Sequence, residues 1–182
     1  MDNKKFEIIL ADPPWSYRDA AKAGNRGAGC HYATMTDEEI CSLPVQEIAA
    51  DNCALFLWAT APRLQTAFEV MKRWGFTYKT VAFVWEKTNK DGSPAMGLGH
   101  YTRANAEFVL LGVKGKVKRI DAGVHQIVRA SRKKHSAKPG EVHDRIVRLL
   151  GDIPRCELFA RVVADKWSIW GNEVDNDFEL DI

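Results

Sequence analysis

The sequence of 182 residues lacks any apolar run long enough to span a bilayer, any internal repeat and any low-complexity tract. Its first residues, MDNKKFEIILADPP, hold only a short apolar stretch that charges and two prolines interrupt, which is not the pattern of a signal peptide. These absences predict a cytoplasmic protein with no membrane contact. The length suits one domain with a sizeable core, which we predict over residues 1–174.

Cysteine and histidine are few and scattered. The four cysteines, Cys30, Cys41, Cys53 and Cys156, are too far apart in sequence for a zinc knuckle or a redox pair. Reduced thiols in a reducing compartment are therefore expected. The histidines are equally dispersed, so we predict no metal site.

Acidic residues are almost absent from one stretch of the chain. Between residues 114 and 138 only Asp121 opposes the basic side chains of Lys114, Lys116, Lys118, Arg119, Arg129, Arg132, Lys133, Lys134 and Lys138. Such a run fits either a solvated face or a polyanionic partner. Residues 175–182 show the opposite bias, acidic side chains with no basic one, which predicts a flexible tail.

Apolar runs alternate with helix signals along the chain. Three helices are predicted. The first begins at Thr36 with a capping box, the second begins at Pro62 and ends at Gly75, and the third begins at Pro139 and ends at Gly151. Strands are predicted over residues 6–11, 54–58, 78–85, 108–113, 157–162 and 167–170, with a shorter one at 126–128. This order predicts a Rossmann-like α/β fold with a mostly parallel sheet, in which ligands bind beyond the carboxyl ends of the strands.

Four residues directly after the first strand, Asp12, Pro13, Pro14 and Trp15, suit the methylation of an aromatic amine. Such an amine is a poor nucleophile because its lone pair is delocalised into the ring. Two acceptors that each take one amine hydrogen draw the nitrogen towards tetrahedral geometry, and the Asp12 carboxylate and the Pro13 carbonyl can serve. Pro14 fixes its backbone φ and offers no competing N–H, while Trp15 can stack on a base. The alternative is a strand-ending turn with a core tryptophan.

The Asp12–Trp15 motif resembles the DPPW signature of the MT-A-seventy family of adenine N(6)-methyltransferases. The resemblance continues in family order through residues 31–39, 55–60, 85–89, 99–101 and 111–115, and then 135–139, 157–161 and 167–172. It covers nearly all of residues 6–173. It implies a class I methyltransferase fold in which the catalytic motif precedes the cofactor motif.

The resemblance also implies S-adenosylmethionine as cofactor, held between the Asp12 motif and the C-terminal strands. Lys138, just before a predicted helix, suits the carboxylate of the cofactor. A carboxylate at Glu173, at a strand end, suits the ribose hydroxyls. The expected cofactor-binding residues are Asp12, Lys138, Phe159, Arg161, Asn172 and Glu173, and the expected substrate-binding residues are Tyr32, Arg132, Lys133 and Lys134.

Three departures from the family pattern limit the resemblance. The eukaryotic relatives usually have Gln at the position of Glu173, and a Pro-His-Asn segment where this chain has Val162–Asp165. They also carry an upstream Asp-Ile segment that touches the adenine of the cofactor, which this chain does not contain. Contacts to the cofactor ribose and adenine therefore cannot all be transferred.

Several alternatives remain open. Related enzymes that methylate cytosine amines or glutamine use Ser or Asn in place of the acidic residue, so Asp12 with Trp15 favours adenine. A non-catalytic binding subunit is a second possibility, although the family's subunit of that kind has a degraded motif. We expect a catalytic domain alone, and therefore DNA as substrate, with RNA as the alternative. A monomer or homodimer is expected, with target recognition by the long loops of residues 16–35 and 88–105 or by a second subunit.

Overall fold

The computed structural model describes residues 5–16, 34–97, 99, 101–132 and 137–180. The strands are β1 (Phe6–Ala11), β2 (Ala49–Ala59), β3 (Thr77–Thr88), β4 (Ala106–Lys114), β5 (Ile127–Ser131), β6 (Arg155–Leu158) and β7 (Ser168–Trp170). The helices are α1 (Asp37–Ser42), α2 (Val45–Ile48), α3 (Leu64–Arg73) and α4 (Glu141–Leu150), and a 3-10 turn, Ala61–Arg63, precedes α3. No helix within the described ranges is long and apolar enough to cross a membrane.

The seven strands form one sheet in the order β5-β3-β4-β2-β1-β6-β7. Strand β4 pairs antiparallel with both β2 and β3, whereas the other four pairings are parallel. Six strands therefore point the same way and β4 alone is reversed, which confirms the prediction of a mostly parallel α/β sheet. We call the edge where these six strands end and β4 begins the carboxyl edge.

Helices cover both faces of the sheet, as the continuous apolar runs of β1 and β2 require. Alternate residues of these strands, such as Ile9 and Leu10, belong to separate core clusters on opposite faces. Helix α3 packs on the first face and α4 on the second. Gly112 in β4 permits the close approach of α3, because a Cβ there would lie 2.7 Å from the sulfur of Met71.

The capping box of α1 is confirmed, but several element boundaries differ from prediction. Helix α4 begins at Glu141, because Pro139 and Gly140 form a turn whose carbonyls accept from Val142 and His143. Strand β6 stops at Leu158 rather than continuing to residue 162. The next residue, Phe159, has a φ of 62°, a left-handed conformation that ends the extended backbone.

The acidic C-terminal segment packs against the domain as far as residue 180, in contrast to the predicted flexible tail. The ring of Phe178 lies 5.0 Å from that of Phe6, and Leu180 is buried. Asn176 and Asp177 accept backbone N–H groups of Gly171 and Ile169. Apolar residues placed between the acidic ones anchor the segment. The prediction of a flexible tail used only the charge of the segment and did not take these apolar residues into account.

Candidate active site

The Asp12–Trp15 motif begins where β1 ends, at the carboxyl edge. The backbone N–H of Asp12 points to the carbonyl of Leu158 in β6, at 3.4 Å. The carbonyl of Pro13 accepts the N–H of Trp15 at 2.8 Å, which closes a tight turn. A carbonyl oxygen has two lone pairs, so Pro13 retains the capacity to accept a second hydrogen. The turn thus carries a carboxylate and a carbonyl with spare accepting capacity on consecutive residues.

Trp15 anchors this turn. Its indole N–H donates to the carbonyl of Trp58 at 3.1 Å, and the guanidinium of Arg63 lies 5.5 Å from the ring centroid. The side chain is only 4% exposed. Stacking of Trp15 on a base stays a prediction, and it would require a ring face to become accessible. The contacts observed in the structure hold the turn in place.

A chain of four alternating charges extends from Asp12 along the carboxyl edge. The ammonium of Lys138 lies 2.7 Å from the Asp12 carboxylate and 3.4 Å from that of Glu107. Glu107 also pairs with Lys87, at the end of β3. All four side chains are less than a quarter exposed. Buried charges persist only when they are paired and hydrogen-bonded, and here each has at least one opposite partner.

The charges in this chain influence one another's ionisation. Burial raises the pKa of Asp12 above its ordinary value, and Lys138 offsets only part of that rise. Burial alone would also raise the pKa of Glu107, but the ammoniums of Lys138 and Lys87 together lower it. For Lys138, burial opposes the charged form, yet Asp12 and Glu107 outweigh it and the pKa is raised. Lys138 therefore stays protonated, while Asp12 is the carboxylate whose ionisation is most costly.

Two tryptophans lie beneath the ammoniums. The ammonium of Lys138 is 5.3 Å from the ring centroid of Trp58, and that of Lys87 is 5.0 Å from Trp85. The two rings meet edge to face, with their centroids 6.3 Å apart. The ring faces stabilise the two cations and limit the access of water on the side of the tryptophans. The site therefore combines fixed charges with an apolar layer, as electrostatic catalysis requires.

A cavity of about 740 Å³ lies where β6 and β7 end, lined by Arg161, Val162, Val163, Ile169, Asn172, Glu173, Val174, Asp175 and Asp177. Arg161 lies 3.8 Å from Glu173, and its charge also reaches Asp12, whose pKa it helps to lower. The Glu173 side chain is 57% exposed. Three of the residues expected to bind the cofactor thus line one cavity, and Lys138 lies beside Asp12.

The donors and acceptors of this cavity fit S-adenosylmethionine. An exposed carboxylate at Glu173 can accept from ribose hydroxyls, and Asn172 and Arg161 offer further polar groups. Val162 and Val163, 70% and 76% exposed, provide apolar surface. Phe159 packs edge to face on Trp170, with centroids 5.6 Å apart, and its left-handed backbone turns the chain towards Arg161.

Not every expected residue is placed by the structure. Tyr32, Lys133 and Lys134 lie outside the described residues. Arg132 is exposed just beyond β5, at the carboxyl edge, within 3.5 Å of Asn89. Lys114 lies at the opposite edge, where it donates to the carbonyl of Ala49. The basic stretch is therefore divided between two ends of the sheet.

Sequence reasoning missed Glu107 and Lys87. Glu107 is 6% exposed and lies near the start of β4, in an otherwise apolar strand. A charged residue in an apolar strand is rarely buried without a partner. This position of Glu107 in the sequence was the feature that could have indicated a functional role. The reversal of β4 brings Glu107 to the carboxyl edge, and this reversal could not be read from the local sequence.

Comparison with known proteins supplies the family. A family model described as MT-A70 matches residues 6–173. The chain belongs to the MT-A70 family. It is 36% identical to the type II methyltransferase M.MunI of a Mycoplasma species, over 99% of this chain and 83% of that protein. It is 30% identical to the human N(6)-adenosine-methyltransferase catalytic subunit METTL3, over 97% of this chain but 30% of that protein.

A third relative is the N6-adenosine-methyltransferase non-catalytic subunit MTB of Arabidopsis thaliana, 34% identical over 65% of this chain and 15% of that protein. The chain is therefore a methyltransferase of the MT-A70 family by sequence and fold, and members with and without catalytic activity resemble it.

Proposed function

We propose that the protein transfers a methyl group from S-adenosylmethionine to the 6-amino group of adenine in DNA. The observation that carries the proposal is the arrangement at Asp12. Its carboxylate is paired with Lys138, it directly precedes Pro13, whose carbonyl can accept a further hydrogen, and it is influenced by the charge of Arg161, which lines the cavity with Glu173. The family assignment supports the same chemistry.

The cofactor would supply an electrophilic methyl group on a sulfonium. The residues of this chain prepare the amine. The Asp12 carboxylate accepts one amine hydrogen and the Pro13 carbonyl the other, so the nitrogen lone pair is freed from the ring. The negative charge of Asp12 also stabilises the positive charge that develops on nitrogen. Alignment of the nitrogen with the methyl group provides the rest of the acceleration.

Asp12 must be ionised to accept the amine hydrogen. Burial opposes this and Lys138 favours it, so the salt bridge keeps the catalytic form populated. Proton transfer from the methylated amine to Asp12 would follow directly, because a carboxyl with a raised pKa is a better proton acceptor than an exposed one.

The choice of DNA is supported by the Mycoplasma relative. It is named a type II methyltransferase, without mention of the ribonucleoside adenosine, and the match covers 83% of its length. RNA is the second candidate, because METTL3 is named an adenosine methyltransferase. A non-catalytic role is the third, because MTB is named so. The intact Asp12–Trp15 motif favours catalysis.

One assay separates these candidates. The protein is incubated with S-adenosylmethionine and unmethylated DNA or RNA, and the digested nucleosides are measured by mass spectrometry, with Asp12→Ala as control. We expect N(6)-methyladenine in DNA, and none with the variant. If methyladenine forms in RNA alone, the proposal of DNA as substrate is wrong. If methylcytosine predominates, the proposal of adenine as the target base is wrong. Cofactor binding without product would favour the non-catalytic role.

A further inference from the structure

The described residues between β3 and β4 (89–97, 99 and 101–105) are joined to the active site where these two strands meet the carboxyl edge. The N–H of Ala95 donates to the carbonyl of Lys87 at 2.9 Å, and the N–H of Lys87 donates to the carbonyl of Asn105 at 2.8 Å. From Lys87 the ion pairs lead through Glu107 and Lys138 to Asp12. Ala95 and Asn105 are therefore held at the carboxyl edge, next to the ion pairs that lead to Asp12.

Tyr101 is the most exposed aromatic residue that the structure describes. Its relative exposure is 103%, whereas no other described aromatic exceeds 41%. A single exposed apolar side chain needs no special explanation. This one differs because it stands on a segment held at the active site, and because its position is constrained. The backbone approaches itself so closely there that a Cβ on Gly99 would lie 1.9 Å from the Thr102 carbonyl.

The exposed charges of the segment that carries Tyr101 suit a polyanion. Lys90 and Arg103 in the same segment are exposed, and Arg132 lies within 3.5 Å of Asn89 at its start. The acidic residue of the segment, Asp91, already accepts the N–H and hydroxyl of Ser93. An exposed aromatic ring in a segment with exposed basic side chains is the combination that stacks on bases while binding the phosphate backbone.

We propose that Tyr101 inserts into the duplex and occupies the space that the target adenine leaves when it rotates out to Asp12. This rests on the proposed action on DNA. An adenine inside a duplex is out of reach of the carboxylate, so it must leave the stack, at a cost in unpairing and unstacking. A ring that stacks on the orphaned neighbours offsets part of that cost, as apolar wedges do in other DNA complexes.

The test compares Tyr101→Ala and Tyr101→Phe on three DNA substrates: a paired duplex, the same duplex with an abasic site opposite the target adenine, and the single strand. For Tyr101→Ala we expect kcat/KM to fall about tenfold to a hundredfold on the paired duplex, the range of one lost stacking interaction. The loss should shrink on the abasic duplex and nearly vanish on the single strand. Tyr101→Phe, which keeps the ring, should stay close to wild type. Met96→Ala, in the same segment and 71% exposed, is the matched control.

If Tyr101→Ala lowers kcat/KM equally on all three substrates, or does not lower it on the paired duplex, Tyr101 does not insert into the duplex. A second measurement keeps this outcome separate from failure of the proposed function. With 2-aminopurine in place of the target adenine, wild-type protein should raise its fluorescence in the duplex by unstacking it, and Tyr101→Ala should not. If no DNA is methylated, the proposed function is wrong. The role of Tyr101 is tested separately by the fluorescence, and an equal rise with wild type and Tyr101→Ala would contradict it.

Discussion

The ammonium of Lys138 lies 2.7 Å from the carboxylate of Asp12, although the two residues are 126 positions apart in the chain. From the sequence, both residues are expected at the cofactor and Asp12 also at the amine, but nothing in the sequence predicts that they pair with each other. In the structure they share one salt bridge, and Glu107 accepts from the same ammonium at 3.4 Å. Any change at Lys138 must therefore alter the ionisation of Asp12 as well as contacts to the cofactor.

Replacement of Lys138 should shift the pH dependence of the reaction. Burial raises the pKa of Asp12 and Lys138 lowers it, so Lys138→Gln removes the lowering influence and raises the pKa further. A larger fraction of Asp12 is then protonated at a given pH. We expect the acid limb of the kcat/KM profile to move to higher pH, measured by methyl transfer across the pH range.

Lys87→Gln is the matched control for this shift. Lys87 contacts Glu107 but not Asp12, so the acid limb should move much less. If Lys138→Gln raises only the KM for S-adenosylmethionine and leaves the acid limb in place, then Lys138 serves the cofactor alone.

Asp12 itself should affect turnover more than cofactor binding. Asp12→Ala removes the acceptor of one amine hydrogen, and loss of one preorganised polar group costs about a hundredfold or more. Asp12→Asn should lose less, because its amide oxygen still accepts. Calorimetric titration should show that both variants bind the cofactor. Wild-type rates for Asp12→Ala in a tritium-transfer assay would rule out the catalytic role.

Glu173 should contribute to binding of the cofactor. Its carboxylate is exposed in the cavity that Arg161 and Asn172 also line. Glu173→Ala should raise the dissociation constant for S-adenosylmethionine and leave the affinity for DNA little changed, as measured by calorimetry. Glu179→Ala removes a carboxylate outside this cavity and should leave the constant unchanged. Equal constants for both variants would exclude Glu173 from the cofactor site.

The C-terminal segment should contribute to stability. Phe178 packs on Phe6 with ring centroids 5.0 Å apart, and its side chain is partly buried. Phe178→Ala should lower the free energy of unfolding by about 2 kcal/mol, less than for a fully buried phenylalanine. Glu179→Ala, which removes an exposed neighbour, is the control. Identical urea midpoints for the two variants would contradict anchoring of the segment.

The sequence predicted the features that depend on local chemistry. The apolar run of β1, the capping box at Thr36 and the turn at Asp12 each follow from residues close together in the chain. The pairing of Asp12, Glu107 and Lys138 does not. It depends on the reversal of β4 between two parallel strands, and strand order is fixed by packing across the whole sheet.

The early end of β6 was missed for a different reason. Phe159 is a strand-favouring residue in an apolar run, so propensity extends the strand through it. Its φ of 62° is unfavourable for a side chain with a Cβ and is maintained by tertiary contacts, including the packing on Trp170. Such positions conflict with local preference, and here the conflict lies beside the candidate cofactor cavity.

The basic residues after β5 provide a test of nucleic-acid binding that does not depend on catalysis. Arg132 is exposed at the carboxyl edge, and Lys133 and Lys134 follow it in sequence. If they contact phosphates, each contact releases condensed counterions, so affinity falls steeply with salt. Neutralising all three to Gln should weaken binding to DNA of any sequence and flatten the plot of log affinity against log salt, measured by fluorescence anisotropy.

The matched control uses the same number of charges at the opposite end of the sheet. Lys116, Lys118 and Arg119 are exposed after β4, which ends away from the carboxyl edge. Their replacement by Gln changes the net charge equally but removes no contact near the site. The slope should fall by roughly one for each lost phosphate contact in the first variant, and it should stay near the wild-type value in the second. Equal slopes for the two variants would mean that only overall charge matters, and that the segment at the carboxyl edge is a solvated face.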